Sequence, residues 1–376
     1  MAAGGLIRDA VVGRLRDRIL EARARRTSLD IRGGGTKRFY GEAPRGEPLE
    51  VAELTGISSY EPSELVITAR AGTPLAEVEA VLGERGQCLA FEPPRFAPGG
   101  TVGGMIASGL SGPARAATGP LRDYVLGVTM LNGRGELLTF GGQVMKNVAG
   151  YDVSRLMAGS WGILGILCEV SLKVCACKVD TAALSFEWDE PRALAEMARW
   201  NASALSMNAS AWHEGRLHVR LSGAAAAVRS ACRKLGGAPL EPSAAAEWWD
   251  SVRDHRHPFF RPSAERLAAG ERLWRVSVPP TTESLRSLAR GNPGFEDAGF
   301  IAWGGAERWM CTRAPADEVR TLAASAGGHA TLVRAADKTD GAFTRVSEPL
   351  MRIHRALKRA FDPDRVLNAG RLYAEL

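Results

Sequence analysis

Three glycine clusters constrain this chain more than any other feature. Arg32 to Lys37 reads R-G-G-G-T-K, Pro98 to Gly104 reads P-G-G-T-V-G-G, and Gly159 to Ile166 reads G-S-W-G-I-L-G-I. Successive glycines lose more backbone freedom on folding than any other run, so the fold must need that backbone bare. Either a turn requires positive φ there, or a body lies directly on the main chain. No cluster has the G-x-G-x-x-G spacing and none is followed by G-K-[S/T], which excludes a Rossmann fingerprint and a Walker A loop. What remains is a concave nest of consecutive amides, which binds phosphate oxygens. The second cluster opens a predicted helix over Thr101 to Leu110, whose N-terminus favours negative charge. Gly103, Gly104, Ala107 and Ser108 keep the start of that helix free of bulk. Two separated nests suit a diphosphate with a long reach on either side, as in a dinucleotide.

The 376 residues, 45% of them hydrophobic, are enough for two domains with sizeable cores. Lys plus Arg exceed Asp plus Glu by 48 − 42 = 6. Seven arginines between Arg8 and Arg26 crowd the N-terminus, where Val11, Leu15 and Ile19 mark an amphipathic helix with a solvated face. The chain shows neither zinc-finger spacing nor an RNP-type aromatic motif, so no nucleic-acid partner is expected. Its six cysteines form no C-x-x-C pair, which removes the usual zinc and iron–sulfur spacings. No apolar run reaches the length of about 18 residues needed for a membrane span. These features together predict a cytoplasmic protein with free thiols.

Periodicity outlines the elements. Ser28–Arg32 and Glu64–Ala69 read as strands. Thr73 and Pro74 read as the N-cap and first residue of a helix with Leu75, Val78 and Leu82 on its buried stripe. Asn132-Gly133-Arg134-Gly135 is a hairpin turn, Tyr151–Met157 a short helix and Gly165–Val179 a long strand. Eight of the nine tryptophans lie beyond residue 180, where glycine-rich loops give way to alternating strands and helices, as in a second α+β domain. Leu350, Ile353, Leu357 and Phe361 space a last helix before the tail N-A-G-R-L-Y.

These stretches carry a resemblance. IRGGGTKRFYG, LVITARAGTPLAEVEAVL, FEPPRFAPGGTVGGMIASGLSGP, LRDYVLGV, FGGQVMKNVAGYDVSRLMAGSWGILGILCEVSLKV and the terminal NAGRLY are similar to the flavin-binding family of the vanillyl-alcohol-oxidase (PCMH) fold. Within it they resemble the FAD-binding subunits of glycolate oxidase. The resemblance implies an α+β fold: a PCMH-type FAD domain of two subdomains over 1–180, a smaller α+β cap domain over 181–345, and a C-terminal helix and tail over 346–376 returning to the FAD domain. It implies FAD as cofactor. Gly33, Gly34, Gly35, Thr36 and Lys37 match the first pyrophosphate loop, and Gly99, Gly100, Thr101, Val102, Gly103 and Gly104 the second. Ser108, Ser111, Gly119 and Asp123 match positions lining the flavin, and Gly159, Gly162, Gly165 and Ile166 the segment whose backbone meets the cofactor. Lys146, Asn368 and Arg371 are polar candidates near the flavin ring. No histidine or cysteine stands in an obvious attachment motif beside the loops, so non-covalent FAD is expected. On this expectation Gly34→Asp abolishes FAD retention, through repulsion and bulk where the diphosphate sits.

The resemblance implies oxidation of glycolate or a related 2-hydroxy acid to the 2-oxo acid, together with a larger flavin-containing catalytic subunit and an iron–sulfur subunit. Peripheral attachment to the inner face of the plasma membrane through that complex is the alternative to a freely cytoplasmic location. The six histidines do not stand in the metal-binding setting of relatives that oxidise 2-hydroxy acids alone. His255 and His257 are weighed as metal ligands and set aside, because no carboxylate completes a ligand set. Cys175 and Cys177 share a strand face and read as packed thiols. No catalytic residue is assigned. Two other readings stay open: an autonomous FAD-dependent oxidase of another alcohol or sugar, and a non-catalytic flavin-bearing scaffold.

Overall fold

A computed structural model describes residues 6–143, 152–289, 291–295 and 299–376. The chain divides into two compact units: one holds residues 1–110, 120–177 and 345–376, the other residues 111–119 and 178–344.

The first unit starts with helix α1 (Ala10–Arg25), capped by Asp9, whose carboxylate accepts from the amides of Val11 and Val12. Its buried stripe is Val12, Leu15, Ile19 and Ala22, one residue round from the Val11 row of the sequence. The arginines face outward, and several pair with Glu21, Glu47, Glu53 and Asp364. Gly13 sits inside this helix with nothing within 4 Å of a built Cβ. Gly13→Ala is therefore expected to stabilise the unit by about 1 kcal/mol in denaturant unfolding, as helix propensity dictates.

Strands β1 (Leu29–Arg32) and β2 (Glu47–Glu50) form a parallel pair. An antiparallel five-stranded sheet follows the order β3-β4-β8-β6-β7, built from β3 (Ile57–Glu61), β4 (Val66–Arg70), β6 (Val125–Leu131), β7 (Leu137–Gly141) and β8 (Ile166–Lys173). Two-residue strands β5 (Gln87–Cys88) and β9 (Cys175–Ala176) pair separately, so the long strand expected to Val179 breaks after Lys173. β8 is buried on both faces: Ile166 and Cys168 meet the core under α1, while Leu167, Val170 and Leu172 meet the core under helix α2 (Leu75–Gly83), the register shift opposite Thr129 and Met130 turning the strand between them. Sandwiching removes the clean alternation that a half-buried strand would show.

Thr73 is not a helix cap. Pro74 takes that place, and the Thr73 hydroxyl bridges the amide and carbonyl of Gly56 at 3.0 and 3.1 Å. Helix α3 (Val102–Ser108) is capped by Thr101 and closed by Gly109 at φ 64°, shorter at its end than expected. In the terminal helix Glu348–Phe361 the buried residues are Met351 and Lys358, whereas Leu350 and Ile353 are half exposed. Of the apolar row, Leu357 and Phe361 pack against the core beside Met351, and the buried Lys358 adds an ion pair that anchors the helix.

The second unit is an antiparallel eight-stranded sheet in the order β13-β10-β12-β11-β15-β16-β14-β17, with β10 (Asp180–Glu187), β11 (Met207–His213), β12 (Arg216–Gly223), β13 (Ala238–Pro239), β14 (Arg272–Ser277), β15 (Phe300–Ala302), β16 (Glu307–Thr312) and β17 (His329–Arg334). Among its tryptophans, Trp200 and Trp212 join one apolar core and Trp274 another. The short helix Arg115–Thr118 belongs here. Trp303 donates its indole N–H to the Gly112 carbonyl at 2.9 Å and carries the Arg115 and Arg275 guanidinium groups over its ring.

His255 stacks on Phe260 at 4.6 Å and meets Trp309 edge-on. Burial pushes its pKa down to about 3, with Arg275 and Arg334 adding to the shift, and burial likewise lowers His218 to about 4. Both rings are neutral in the fold but take up protons in the unfolded chain below about pH 6.5. The stability they contribute is therefore complete above that pH and is lost as the pH falls towards 4 and then 3. The expected loss for His255 alone reaches about 5 kcal/mol at most. Thermal unfolding between pH 7 and 4 should show it, and His255→Phe should flatten the slope.

Candidate functional site

A groove in the first unit encloses about 860 Å3 of empty space, its open mouth included. All five residues Gly33, Gly34, Gly35, Thr36 and Lys37 line it. Thr101, Gly103, Gly104 and Ser108 line it from α3 and its cap, and Gly162, Gly165 and Ile166 from the third cluster. The sequence-distant tail adds Asn368 and Arg371. The three glycine clusters thus converge on one cavity.

Gly99, Gly100, Val102 and Gly159 do not line the groove. Val102 is fully buried in the apolar core, and the Gly159 amide donates to the Ile106 carbonyl at 3.0 Å. Ser111 and Gly119 fall in the segment 111–119 that groups with the second unit, where Trp303 holds it. Asp123 is exposed beside Arg122. Lys146 lies outside the described residues, as does the whole K-N-V-A-G-Y stretch that it begins.

Half of the ten cluster glycines are bare because protein approaches them within 3.0 Å of a built Cβ. A Cβ on Gly34 would stand 1.5 Å from the Gly99 carbonyl oxygen, and one on Gly33 would stand 2.6 Å from the Thr101 hydroxyl. The first two clusters are pressed backbone to backbone. At Gly165 a Cβ would meet Met130 at 2.0 Å, and at Gly162 it would meet the Asn368 amide at 2.7 Å. The body expected to lie on Gly33 and Gly34 is therefore the second glycine loop. Gly35 (φ 68°), whose nearest neighbour is an Arg38 carbon at 3.8 Å, leaves room on the cavity side, while Gly104 is tighter, with the Thr101 hydroxyl at 3.3 Å.

The hydrogen bonds separate the two nests. The first amides of α3 are satisfied by the chain itself: Val102 donates to Thr73 O, Gly103 to Ala71 O and Gly104 to the Thr101 hydroxyl. The expected anion site at that helix start is closed. Among the described residues, nothing accepts from the successive amides of Gly34, Gly35 and Thr36. Three adjacent N–H groups at the groove are the elements of an anion nest.

Charge at the groove comes from Lys37 and Arg371. Arg371 is buried; one terminal nitrogen donates to the carbonyls of Lys37 and Arg38 at 3.3 Å, while Nη1 has no partner among the described residues. Burial lowers its pKa to about 10, which leaves it cationic near neutrality. Its guanidinium lies 5.3 Å from the Trp161 ring, which stacks on Tyr40 at 5.4 Å. Arg32 and Arg38 are held by Asp30 at 2.8 and 2.9 Å. Asn368 ties the tail to the groove, accepting from Ile31 N and donating to Trp161 O, both at 2.7 Å. Trp161 (φ 54°) and Asn368 (φ 41°) occupy the left-handed region without being glycine, a local cost that marks an over-determined site. Sequence reasoning placed Trp161 inside a cluster without assigning it, and Tyr40 carried no motif at all.

The groove fits an elongated anionic cofactor. It offers free amides, a buried cation with an unpartnered nitrogen, and a flat aromatic wall. Among the described residues no histidine or cysteine lines it, and no group of three or more His, Cys, Asp or Glu could hold a metal.

Comparison with known proteins agrees with this chemistry. Residues 12–141 match the family described as FAD binding domain. The chain is 40% identical over 362 residues to glycolate oxidase subunit GlcE of Escherichia coli, covering 96% of this chain and 97% of that one. Over 152 residues it is 32% identical to glycolate oxidase subunit GlcD of Bacillus subtilis, 40% of this chain and 32% of the other. Over 146 residues it is 30% identical to a D-lactate dehydrogenase of Archaeoglobus fulgidus, 38% of this chain and 32% of the other. Among solved structures, alkyldihydroxyacetonephosphate synthase shares the fold at a TM-score of 0.64 and 14% identity, over 95% of this chain and 75% of that one.

Proposed function

Since this chain belongs to the family of the glycolate oxidase subunit GlcE, an FAD-binding oxidoreductase family, we propose that it is the FAD-binding subunit of an assembly that oxidises glycolate or a related 2-hydroxy acid to the 2-oxo acid. The observation that carries this reading is the full-length identity, joined to a groove in which all three glycine clusters meet. Its partners are a larger flavin-containing catalytic subunit and an iron–sulfur subunit. On this reading the assembly works in the cytoplasm or at the inner membrane face; separately, among the described residues no helix is long and apolar enough to cross a membrane.

The amides of Gly34, Gly35 and Thr36, with the Lys37 ammonium, hold the diphosphate. Arg371 directs its unpartnered nitrogen to an oxygen of the same cofactor, and Trp161 with Tyr40 forms the flat wall. Bound there, FAD supplies the hydride- and electron-accepting chemistry, which the protein positions and tunes. The attachment is non-covalent, so denaturing the holoprotein releases intact FAD.

Arg371→Met removes a charged hydrogen-bond donor worth about 1.5–3 kcal/mol, or roughly ten- to a hundredfold in FAD affinity. Arg371→Lys keeps the charge and recovers part of it. Titrating apoprotein with FAD by flavin fluorescence measures both. The functional test is the anaerobic absorption spectrum of the holo-assembly with added glycolate. Bleaching of its flavin supports the reading. A flavin that stays oxidised with glycolate, D-lactate and other 2-hydroxy acids sinks it. Bleaching of the isolated chain would assign it a substrate site of its own and favour the autonomous oxidase.

A further inference from the structure

One cluster of nucleophilic side chains lies outside the groove. β5 and β9 pair antiparallel with Cys88 directly opposite Cys175, so both side chains rise from one face. Cys177 lies two residues beyond Cys175, and its amide donates to the Gly86 carbonyl at 2.8 Å, continuing the ladder and placing its side chain on that face too. All three are free thiols: Cys177 is exposed, Cys88 half-buried, and Cys175 packed against the apolar core. Burial pushes the Cys88 thiol up to about 12, with the Cys177 and Cys175 thiols adding to the shift. Cys88 therefore keeps its proton at rest, and an oxidant meets Cys177 first.

We propose that this cluster is an oxidation site in which a peroxide enters at Cys177 and the product rests as a Cys88–Cys175 disulfide. In the first step the Cys177 thiol and hydrogen peroxide give the sulfenic acid and water. The Cys88 sulfur then displaces hydroxide from Cys177; its proton leaves with that hydroxide as water, and the Cys88–Cys177 bond forms. Finally the Cys175 sulfur attacks Cys88, passing its proton to the departing Cys177. Geometry sets the resting place. Directly opposed residues in such a ladder stand about 5.5 Å apart at Cα, inside the disulfide range, whereas diagonal ones stand at about 7–8 Å, beyond it, so the Cys88–Cys177 bond forms only as the exposed backbone at Cys177, past the end of β9, shifts inward, and it does not rest there. Cys177 is thereby regenerated, and β9, which follows the strand that begins at Ile166 in the groove, is fastened to the segment leaving α2.

The test uses the reduced full chain treated with hydrogen peroxide, followed by thiol counting, intact mass and peptide mapping without reductant. Two thiols should be lost, with the mass lower by two hydrogens, a peptide linking Cys88 to Cys175, and reversal by dithiothreitol. Cys177→Ser should slow formation of the same bond. Cys175→Ser should leave the Cys88–Cys177 bond as the product. Cys88→Ser should let Cys177 proceed to sulfinic acid. The proposal is overturned if wild-type Cys88 stays reduced while Cys177 over-oxidises, if the bond rests at Cys177, or if the linkage joins two chains. Near-native circular dichroism of each serine variant keeps these outcomes separate from misfolding.

Discussion

Gly34→Ala is expected to purify without FAD. A methyl group at this position would sit 1.5 Å from the Gly99 oxygen and 2.5 Å from its carbonyl carbon. Both are main-chain atoms, so no rotamer change relieves the contact and the two loops must separate. Overpacking of this kind costs about 1–3 kcal/mol or more, and here it falls on the loop that presents the three free amides. The cause differs from the one the sequence suggested for Gly34→Asp: the loop–loop seam, and not a phosphate, rejects the side chain. Alanine, which carries no charge, should therefore lose FAD nearly as completely as aspartate. A charge-only effect would leave Gly34→Ala with wild-type flavin content. Gly35→Ala, strained at φ 68° but facing no close neighbour, should fold and bind FAD more weakly.

Asp362→Ala is expected to destabilise the first unit by about 3–5 kcal/mol, the cost of stranding a buried partner. Lys358 and Asp362 are 3% and 0% exposed at their side chains and pair at 2.8 Å. The Lys358 ammonium also donates to the carbonyls of Ile163 and Leu367, while the Asp362 carboxylate accepts from the amides of Val366 and Leu367. Gly133 must be glycine beside them, since its Cβ would stand 2.1 Å from an Asp362 oxygen. The pair thus locks the terminal helix, the hairpin turn and the tail. From there Leu29 N donates to Val366 O and Asn368 N to Leu29 O, which sets Asn368 and Arg371 at the groove. Denaturant unfolding measures the loss, and FAD affinity should fall with it. Adding Lys358→Met to Asp362→Ala should restore part of the stability, because an apolar pair strands no charge. An additive double variant would show that the two groups do not act together.

Local signals carried much of the fold. The stripes of α1 and α2, the hairpin at Asn132–Gly135 and the change of character near residue 180 all follow from spacing that packing respects. The convergence of the glycine clusters was legible because few other demands explain so much bare backbone. What remained hidden depended on distant partners. Thr73 looked like a cap, but its hydroxyl is used by Gly56. The start of α3 looked like an anion site, but Ala71, Thr73 and Thr101 take its amides. The terminal helix showed an apolar row of which Leu357 and Phe361 pack on the core, but it is also seated by Lys358, a residue that composition alone assigns to the surface. The placement of 111–119 rests on Trp303, nearly two hundred residues away.

The most direct measurement is the uptake of FAD by the refolded, flavin-free full chain, read by absorbance after gel filtration beside Gly34→Ala and Arg371→Met. The account predicts one FAD per wild-type chain, released intact on denaturation, with none retained by Gly34→Ala and a weaker complex for Arg371→Met. A folded wild-type chain that takes up no FAD, or a Gly34→Ala chain that holds it as tightly as wild type, would contradict it.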